Sequence, residues 1–289
     1  MPTGFALDPD QGFGPTDELR LVKLGAELGY ASAWTPSGAD AAAFDRCMRW
    51  HEASGLPTGI STVPASGQPA AFYAEQARRA WEASGGTFTL VVGSGQWTKA
   101  AERMRRYLHE VRQALAADMP LYVAALGPLM LDVGGQLADG IALNWCTTEQ
   151  VARSRQRIEA AARGAGRSTP RIIQYIRTAV DPDPGLAQRT LATAAARYLG
   201  FPVYRRHFER MGVAADLQQT SASDTVPLSE IVGKIGASGK PGETRAQFER
   251  LAEGLDMPIV RILVTRRGDF DSARRALVEC KPGPLVSER

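Results

Sequence analysis

Two kinds of pattern alternate along the whole chain: short apolar runs, and longer segments in which apolar residues recur every three or four positions. The runs read as strands over Phe5 to Leu7, Ala31 to Thr35, Thr58 to Val63, Thr87 to Val92, Leu121 to Ala125, Gly140 to Asn144, Ile172 to Val180 and Ile259 to Thr265. The periodic segments read as helices. The first is capped by Thr16, carries Leu19, Val22, Leu24 and Leu28 on one face, and stops at Gly29. Others follow over Ala39 to Ala53, Gln68 to Glu82, Thr98 to Ala117, Leu129 to Leu137 and Thr148 to Arg163. A long helical region runs from Pro184 to about Gly254, and Phe270 to Cys280 closes the chain.

Each of the eight strands is thus followed by helix. Runs such as Thr89-Leu90-Val91-Val92 are apolar on both faces, as strands of a covered parallel sheet must be. The pattern predicts a single domain over residues 1–289, a closed (β/α)8 barrel, with an open doubly wound sheet as the alternative. In a barrel, chemistry sits at the C-terminal strand ends. Asp8 is the single acidic residue at such an end.

Composition narrows the function. A length of 289 residues with 44% hydrophobic positions supports a substantial core, and a net charge of +3 gives no reason to expect nucleic acid or a membrane as partner. The N-terminus lacks the basic and apolar stretches of a secretory signal. Cys47, Cys146 and Cys280 are odd in number and far apart, the usage of reduced thiols, so a cytoplasmic location is expected. The three histidines, His51, His109 and His207, show no metal-ligand spacing. Gly93-Ser94-Gly95 lacks the outer glycines of a nucleophile elbow, and no phosphate loop or Gly-x-Gly-x-x-Gly follows a strand. No metal is expected.

Three segments together resemble the bacterial luciferase-like superfamily of flavin- and F420-dependent oxidoreductases. They are Leu28-Gly29-Tyr30-Ala31-Ser32-Ala33-Trp34, the stretch from Pro69 through Ser84-Gly85-Gly86 to Gly93-Ser94-Gly95, and Pro120-Leu121-Tyr122-Val123-Ala124-Ala125-Leu126-Gly127-Pro128-Leu129-Met130 with Ala138-Asp139-Gly140 after it. Tyr204-Arg205-Arg206-His207-Phe208-Glu209-Arg210-Met211-Gly212 is similar to a stretch of F420-associated members. The resemblance implies a (β/α)8 barrel with the cofactor across its C-terminal mouth, F420 first and FMN as the alternative.

It also implies sites. Ala125, Leu126, Gly127, Pro128, Leu129 and Met130 match the phosphate-binding turn, where free N–H groups at a helix start face an anion. Gly59, Ile60 and Ser61 match a strand end that commonly carries a non-proline cis peptide, expected here between Gly59 and Ile60. Gly95 and Gln96 would admit the ring, and Trp34, Ser37, Asn144 and Arg177 would line the substrate pocket. Trp97, Trp145, Arg266 and Arg267 are further candidates at the mouth.

Two departures stand out. Ser37-Gly38 replaces the acidic-His pair that many F420 members carry after the second strand, so no general acid is visible. The fourth unit has 24 residues, Gln96 to Met119, where members usually insert more. The expected function is hydride transfer between F420 and a small organic substrate, by a homodimer. The alternatives are an FMN-dependent monooxygenase, a degenerate homologue acting as a binding protein, and a cofactor-free lyase or isomerase. The loop from Gln218 to Pro227 is among those that would decide the substrate.

Overall fold

A computed structural model describes residues 1–36, 38–219 and 232–283 of the chain. Eight parallel strands form a closed ring: β1 (Gly4–Ala6), β2 (Ser32–Thr35), β3 (Thr58–Pro64), β4 (Phe88–Gly93), β5 (Leu121–Ala124), β6 (Gly140–Asn144), β7 (Arg171–Val180) and β9 (Met257–Ile262), which returns to β1. The β6–β7 ladder, from Gly140 opposite Arg171 to Asn144 opposite Tyr175, closes the sheet. A ninth short strand, β8 (Ala237–Gly239), adds to the C-terminal end of β7 beyond the point where β6 leaves it, and Thr178 pairs with both β8 and β9.

Helices α1 (Pro15–Glu27), α2 (Ala42–Ser54), α3 (Ala70–Ala83), α4 (Ala100–Ala114), α5 (Pro128–Leu137) and α6 (Thr148–Gly164) each follow one strand. The expected long helical region is instead α7 (Pro184–Leu199), α8 (Pro202–Met211), α9 (Ala214–Gln219), β8 and α10 (Thr244–Ala252). Its breaks fall at Gly200 and at Gly212, whose left-handed φ of 74° ends α8. Helix α11 (Phe270–Glu279) is last. Thr16 does not cap α1; Gly14 precedes the helix and Pro15 takes its first position, where a missing N–H costs nothing. One helix, α4, is all that spans the fourth unit between β4 and β5.

Strand alternation sorts the core into two. Outward residues such as Phe5, Ile60, Leu90, Val92, Val123 and Ile141 pack under the helices. Inward residues Ala6, Trp34, Val91, Tyr122, Ala142, Ile173, Tyr175, Met257 and Ile259 fill the ring. The bulk of Trp34 is matched by missing side chains on both neighbours. A Cβ on Gly4 would sit 3.0 Å from Trp34 Nε1, and one on Gly59 would enter the indole ring. The indole donates to Ser32 Oγ at 2.7 Å, so its polar atom is satisfied in the interior.

Helix α5 lies close on β5, β6 and α6 because Gly134 and Gly135 face them. A Cβ on Gly135 would meet the Ile158 carbonyl oxygen at 2.7 Å and Ala161 Cβ at 2.8 Å. A backbone atom cannot give way as a side chain can. Gly135→Ala, a change that favours an exposed helix by about 1 kcal/mol, should here destabilise the protein by about 1–3 kcal/mol through overpacking. Thermal and denaturant unfolding of this variant check the sign.

Candidate functional site

The C-terminal strand ends form a mouth with two unlike sides. Along β3, β4 and β5 it is nearly bare: Ser61 pairs with Val91 and so faces inward with it, and Thr62, Gly93 and Ala124 meet beside it. A Cβ on Gly93 would lie 3.1 Å from Thr62 Oγ1 and 3.6 Å from Ala124 Cβ. Ser61, Thr62 and Ala124 are half-buried, and with Gly93 they form a ledge of small side chains.

The non-proline cis peptide joins Ser61 to Thr62, not Gly59 to Ile60. Gly59 to Ser61 stay in register with Thr89 to Val91, and the ladder becomes irregular only after Ser61. Gly59 serves the packing of Trp34. Ile60 points outward and is fully buried beneath the helices, as is Ala125, so neither side chain can meet a ligand at the mouth. Trp34, 2% exposed, belongs to the filled interior and lines no open pocket. Gly95 and Gln96 sit on the exposed turn after β4, where Gln96 N donates to Ser66 Oγ at 3.2 Å. Trp97 leans away onto Tyr107, with Arg103 over its ring. Ser37 and residues 220–227 lie outside the described residues.

Next to the ledge, Leu126 and Gly127 are half-buried while Pro128 and Leu129 are exposed; Met130 packs partly against the core. Gly127 is the extended N-cap of α5, and no side chain caps the first turn. Pro128 brings no N–H, and the Met130 and Leu131 amides turn back to the Gly127 carbonyl at 3.0 Å. The positive end of α5 therefore carries no side-chain cap, and of its first-turn amides Leu129 is the one not turned back on Gly127. Arg210 of α8 borders it, donating from Nη2 to the Leu126 carbonyl at 3.0 Å. Burial, then the neighbouring Arg206 charge, lowers the Arg210 pKa.

The opposite side, on β1, β6, β7 and β9, is polar and charged. Arg261 donates to both Asp8 oxygens, from Nε at 3.0 Å and from Nη2 at 2.6 Å. Burial works against the Arg261 charge, but Asp8 outweighs it and raises the pKa above the ordinary value. Arg177, the register neighbour of Arg261, is 1% exposed and has no carboxylate partner among the described residues. Its Nη1 donates to Asn144 Oδ1 at 2.6 Å and its Nη2 to the Tyr198 hydroxyl at 2.8 Å. The guanidinium stacks 3.9 Å above the ring of Trp145, whose left-handed backbone (φ 55°) turns the indole inward. Burial and then Arg261 lower its pKa to about 10. It remains a cation at neutral pH.

Asn144 Nδ2 donates to the Tyr204 hydroxyl at 2.7 Å. Tyr198 and Tyr204 pack edge to face at 4.5 Å, and with Phe201, 46% exposed, they form an aromatic shoulder over the charged side. Beneath it, His207 Nε2 lies 3.1 Å from the Asn144 carbonyl and 3.7 Å from Cys146 Sγ. Of the polar candidates, Asn144 and Arg177 come together at the mouth. Arg266 lies on the rim, 67% exposed, 3.8 Å from Asp181, and Arg267 packs against Gly12. Sequence reasoning missed the Tyr198–Tyr204 pair, since both come from helices outside the strand ends, and missed that Asp8 is matched by Arg261. Among the described residues no group of three or more His, Cys, Asp or Glu could hold a metal, and no helix is long and apolar enough to cross a membrane.

Comparison with known proteins fits this geometry. A family model described as luciferase-like monooxygenase matches residues 98–256. The 5,10-methylenetetrahydromethanopterin reductase of Methanopyrus kandleri is 33% identical over 101 residues, covering 33% of this chain and 29% of that relative's length. Among solved structures, the coenzyme F420 dependent tetrahydromethanopterin reductase from Methanopyrus kandleri superposes with a TM-score of 0.73 at 18% identity, over 97% of each chain. An F420-dependent secondary alcohol dehydrogenase in complex with an F420-acetone adduct gives 0.75 at 14% identity, over 98% of this chain and 100% of that one. At these identities the superpositions carry the fold.

His207 makes the site's packing sensitive to pH. Burial first, then Arg210, lowers its pKa from 6.5 to about 4. Between those values the unfolded chain binds a proton that the folded chain refuses, so stability present above pH 6.5 is lost as the pH falls toward 4. The loss contributed by this group reaches about 3 kcal/mol. His207→Gln should flatten the dependence of thermal stability on pH between 6.5 and 4 relative to the parent protein.

Proposed function

The chain belongs to the luciferase-like monooxygenase family, and from that premise we propose that it is an oxidoreductase that uses coenzyme F420 to move a hydride to or from a small organic substrate. The observation that carries the reading is the division of the mouth into a bare ledge and a charged wall. A flat tricyclic ring needs a surface without projecting side chains, and Ser61, Thr62, Gly93 and Ala124 provide one. A phosphate needs a bare helix start, and Gly127, Pro128 and Leu129 at α5 provide it on the same side, with Met130 behind and Arg210 alongside. The residues present therefore fit the cofactor. The match to a methanopterin reductase, a protein related by name to one described as F420-dependent, supports F420 over FMN.

In this reading the cofactor supplies hydride chemistry, and the protein binds, orients and shields. The ledge would hold the ring, with Gly95 and Gln96 at its edge. The Leu129 amide at the start of α5, with Arg210 alongside, would hold phosphate without relying on a net field, since the chain's total charge is only +3. Asn144 and Arg177 would form the polar wall behind the substrate on the opposite side. The aromatic shoulder of Tyr198, Phe201 and Tyr204 would exclude water from that side. We include two coarser expectations in the same proposal. A homodimer fits the apolar surface left by Phe201 and Val203, each 46% exposed, and a cytoplasmic setting fits three buried, unpaired cysteines.

Titration of the purified protein with F420, FMN and FAD tests the cofactor. The expected result is a saturable quench of F420 fluorescence; no response at about 50 μM F420, with FMN bound instead, would overturn it in favour of flavin-dependent oxygenation. Leu129→Glu localises the phosphate. A carboxylate in the first turn of α5 favours the helix by about 0.3–1 kcal/mol, so thermal stability should hold or rise, while F420 affinity should fall at least about tenfold by repulsion.

A further inference from the structure

We propose that Tyr198 is the proton donor to the oxygen of a carbonyl substrate, with Tyr204 as a second hydrogen-bond donor to that oxygen and Arg177 as the positioning residue behind both. The inference deepens the reading of this mouth as a hydride-transfer site, and it supplies the general acid that Ser37-Gly38 does not.

The argument is one of hydrogen-bond direction. A guanidinium has donors and no acceptors, so Asn144 must turn Oδ1 toward Arg177, and its Nδ2 must then donate to the Tyr204 oxygen. In the same way Arg177 Nη2 donates to the Tyr198 oxygen. Each phenol already accepts an N–H, and among the described residues neither has an acceptor for its own proton. Both chains of hydrogen bonds therefore run from a buried cation and end on the hydroxyl of a tyrosine that is half-buried as a residue.

The side-chain acceptors of Asp8 and Asn144 are already matched, while the buried His207 Nδ1, beneath the aromatic shoulder, has no partner. Both Asp8 oxygens face Arg261, and Asn144 Oδ1 faces Arg177. Also left over nearby is a donor, the buried Trp145 Nε1, together with the buried Tyr175 hydroxyl, neither of which has a partner. A wall of unmatched donors with one uncompensated positive charge complements an oxygen on which negative charge develops. That describes a carbonyl oxygen during hydride addition, and a secondary alkoxide in reverse.

The groups facing Tyr198 distinguish it from its neighbour. Burial raises its pKa, but Arg177 and Arg261, through charge and the Arg177 hydrogen bond, outweigh both burial and the more distant Asp8, and the net direction is down. Burial holds Tyr204 up at about 12, so it donates a hydrogen bond and keeps its proton. The bound reduced cofactor would supply the hydride: its C–H bond and the C=O π bond would break as the new C–H bond forms. The π pair left on oxygen would take the proton from the Tyr198 O–H, giving the alcohol, the oxidised cofactor and a Tyr198 phenolate that regains its proton from solvent.

Absorbance titration of tyrosinate in cofactor-free protein tests this without any turnover. One phenol should ionise below the ordinary tyrosine value of 10, with that step missing in Tyr198→Phe and kept in Tyr204→Phe. No step below 10, or its survival in Tyr198→Phe, overturns the proposal. With F420 bound and a panel of short ketones and aldehydes, Tyr198→Phe should lower kcat about 100-fold or more while F420 affinity stays within about twofold. An unchanged kcat, or no turnover of any carbonyl by the parent protein with F420 bound, counts against it. Failure to bind F420 would instead strike the cofactor reading, and the titration would still decide the role of Tyr198.

Discussion

Closing eight parallel strands into a ring requires that their inward side chains fill it, and every feature of the mouth follows from how that is done. Trp34 occupies the interior between two glycines, Gly4 and Gly59, and Tyr122 does the same against Gly140. With the lower layers filled by apolar residues, the ring is sealed below and water reaches it only from the C-terminal ends. Beyond these layers, seven of the eight strands each bring one residue to a platform: Asp8, Ser61, Gly93, Ala124, Asn144, Arg177 and Arg261.

That platform separates size from charge. Small residues gather on consecutive strands β3 to β5, while charged and amide groups gather on β6, β7, β9 and the end of β1. Parallel neighbours in register share a face, so a run of small residues at equivalent positions becomes a continuous ledge and not scattered gaps. On the charged side the consequence is a local field unlike the global one. A chain of net charge +3 places two guanidiniums beside one carboxylate in adjacent strands. The Asp8–Arg261 pair compensates itself. Arg177 is stabilised by the Trp145 face, an amide and a phenol, none of them ionised, which leaves its charge to act on whatever enters the mouth.

The shortened fourth unit and the missing acidic-His pair bear on the same surface. Helix α4 alone lies between β4 and β5, and on the ledge side Ser61, Thr62 and Ala124 are half-buried while Gly93 is buried. Cover comes from α7 and α8, whose aromatic residues lean over the charged side. The polar work that family members often assign to the end of the second strand has a counterpart here on the far wall. There, phenols take the place of an imidazole or carboxylate.

Much of the fold was legible in the chain. The runs at Gly140 to Asn144 and Thr58 to Val63 became β6 and β3 nearly residue for residue, because a strand buried on both faces must be apolar throughout and must end where polar residues begin. Gly127-Pro128 announced a helix start for the same local reason: proline has no N–H to lose there. The region from Pro184 to Gly254 was less legible. Its breaks depend on packing over the barrel and not on periodicity, and a three-residue strand such as β8 exists only because β7 extends past β6.

What only the tertiary structure decided is which side chains meet. Ile60 and Ala125 sit one position from the mouth in sequence, yet alternation sends them outward into the core. Gly59 resembled a cofactor contact, but its bare face belongs to Trp34, 25 positions earlier in the chain. Tyr198 and Tyr204 gave no sign of chemistry, since a tyrosine on a helix is ordinary until a buried guanidinium fixes the direction of its hydrogen bond. Sequence by itself determined the ring, its order and the bare turn at α5, because those rest on local propensity and burial pattern. The polarity of the site rests on contacts between residues far apart in the chain, Asn144 with Tyr204 60 positions on and Asp8 with Arg261 253 positions on, and such contacts exist only once the barrel has closed.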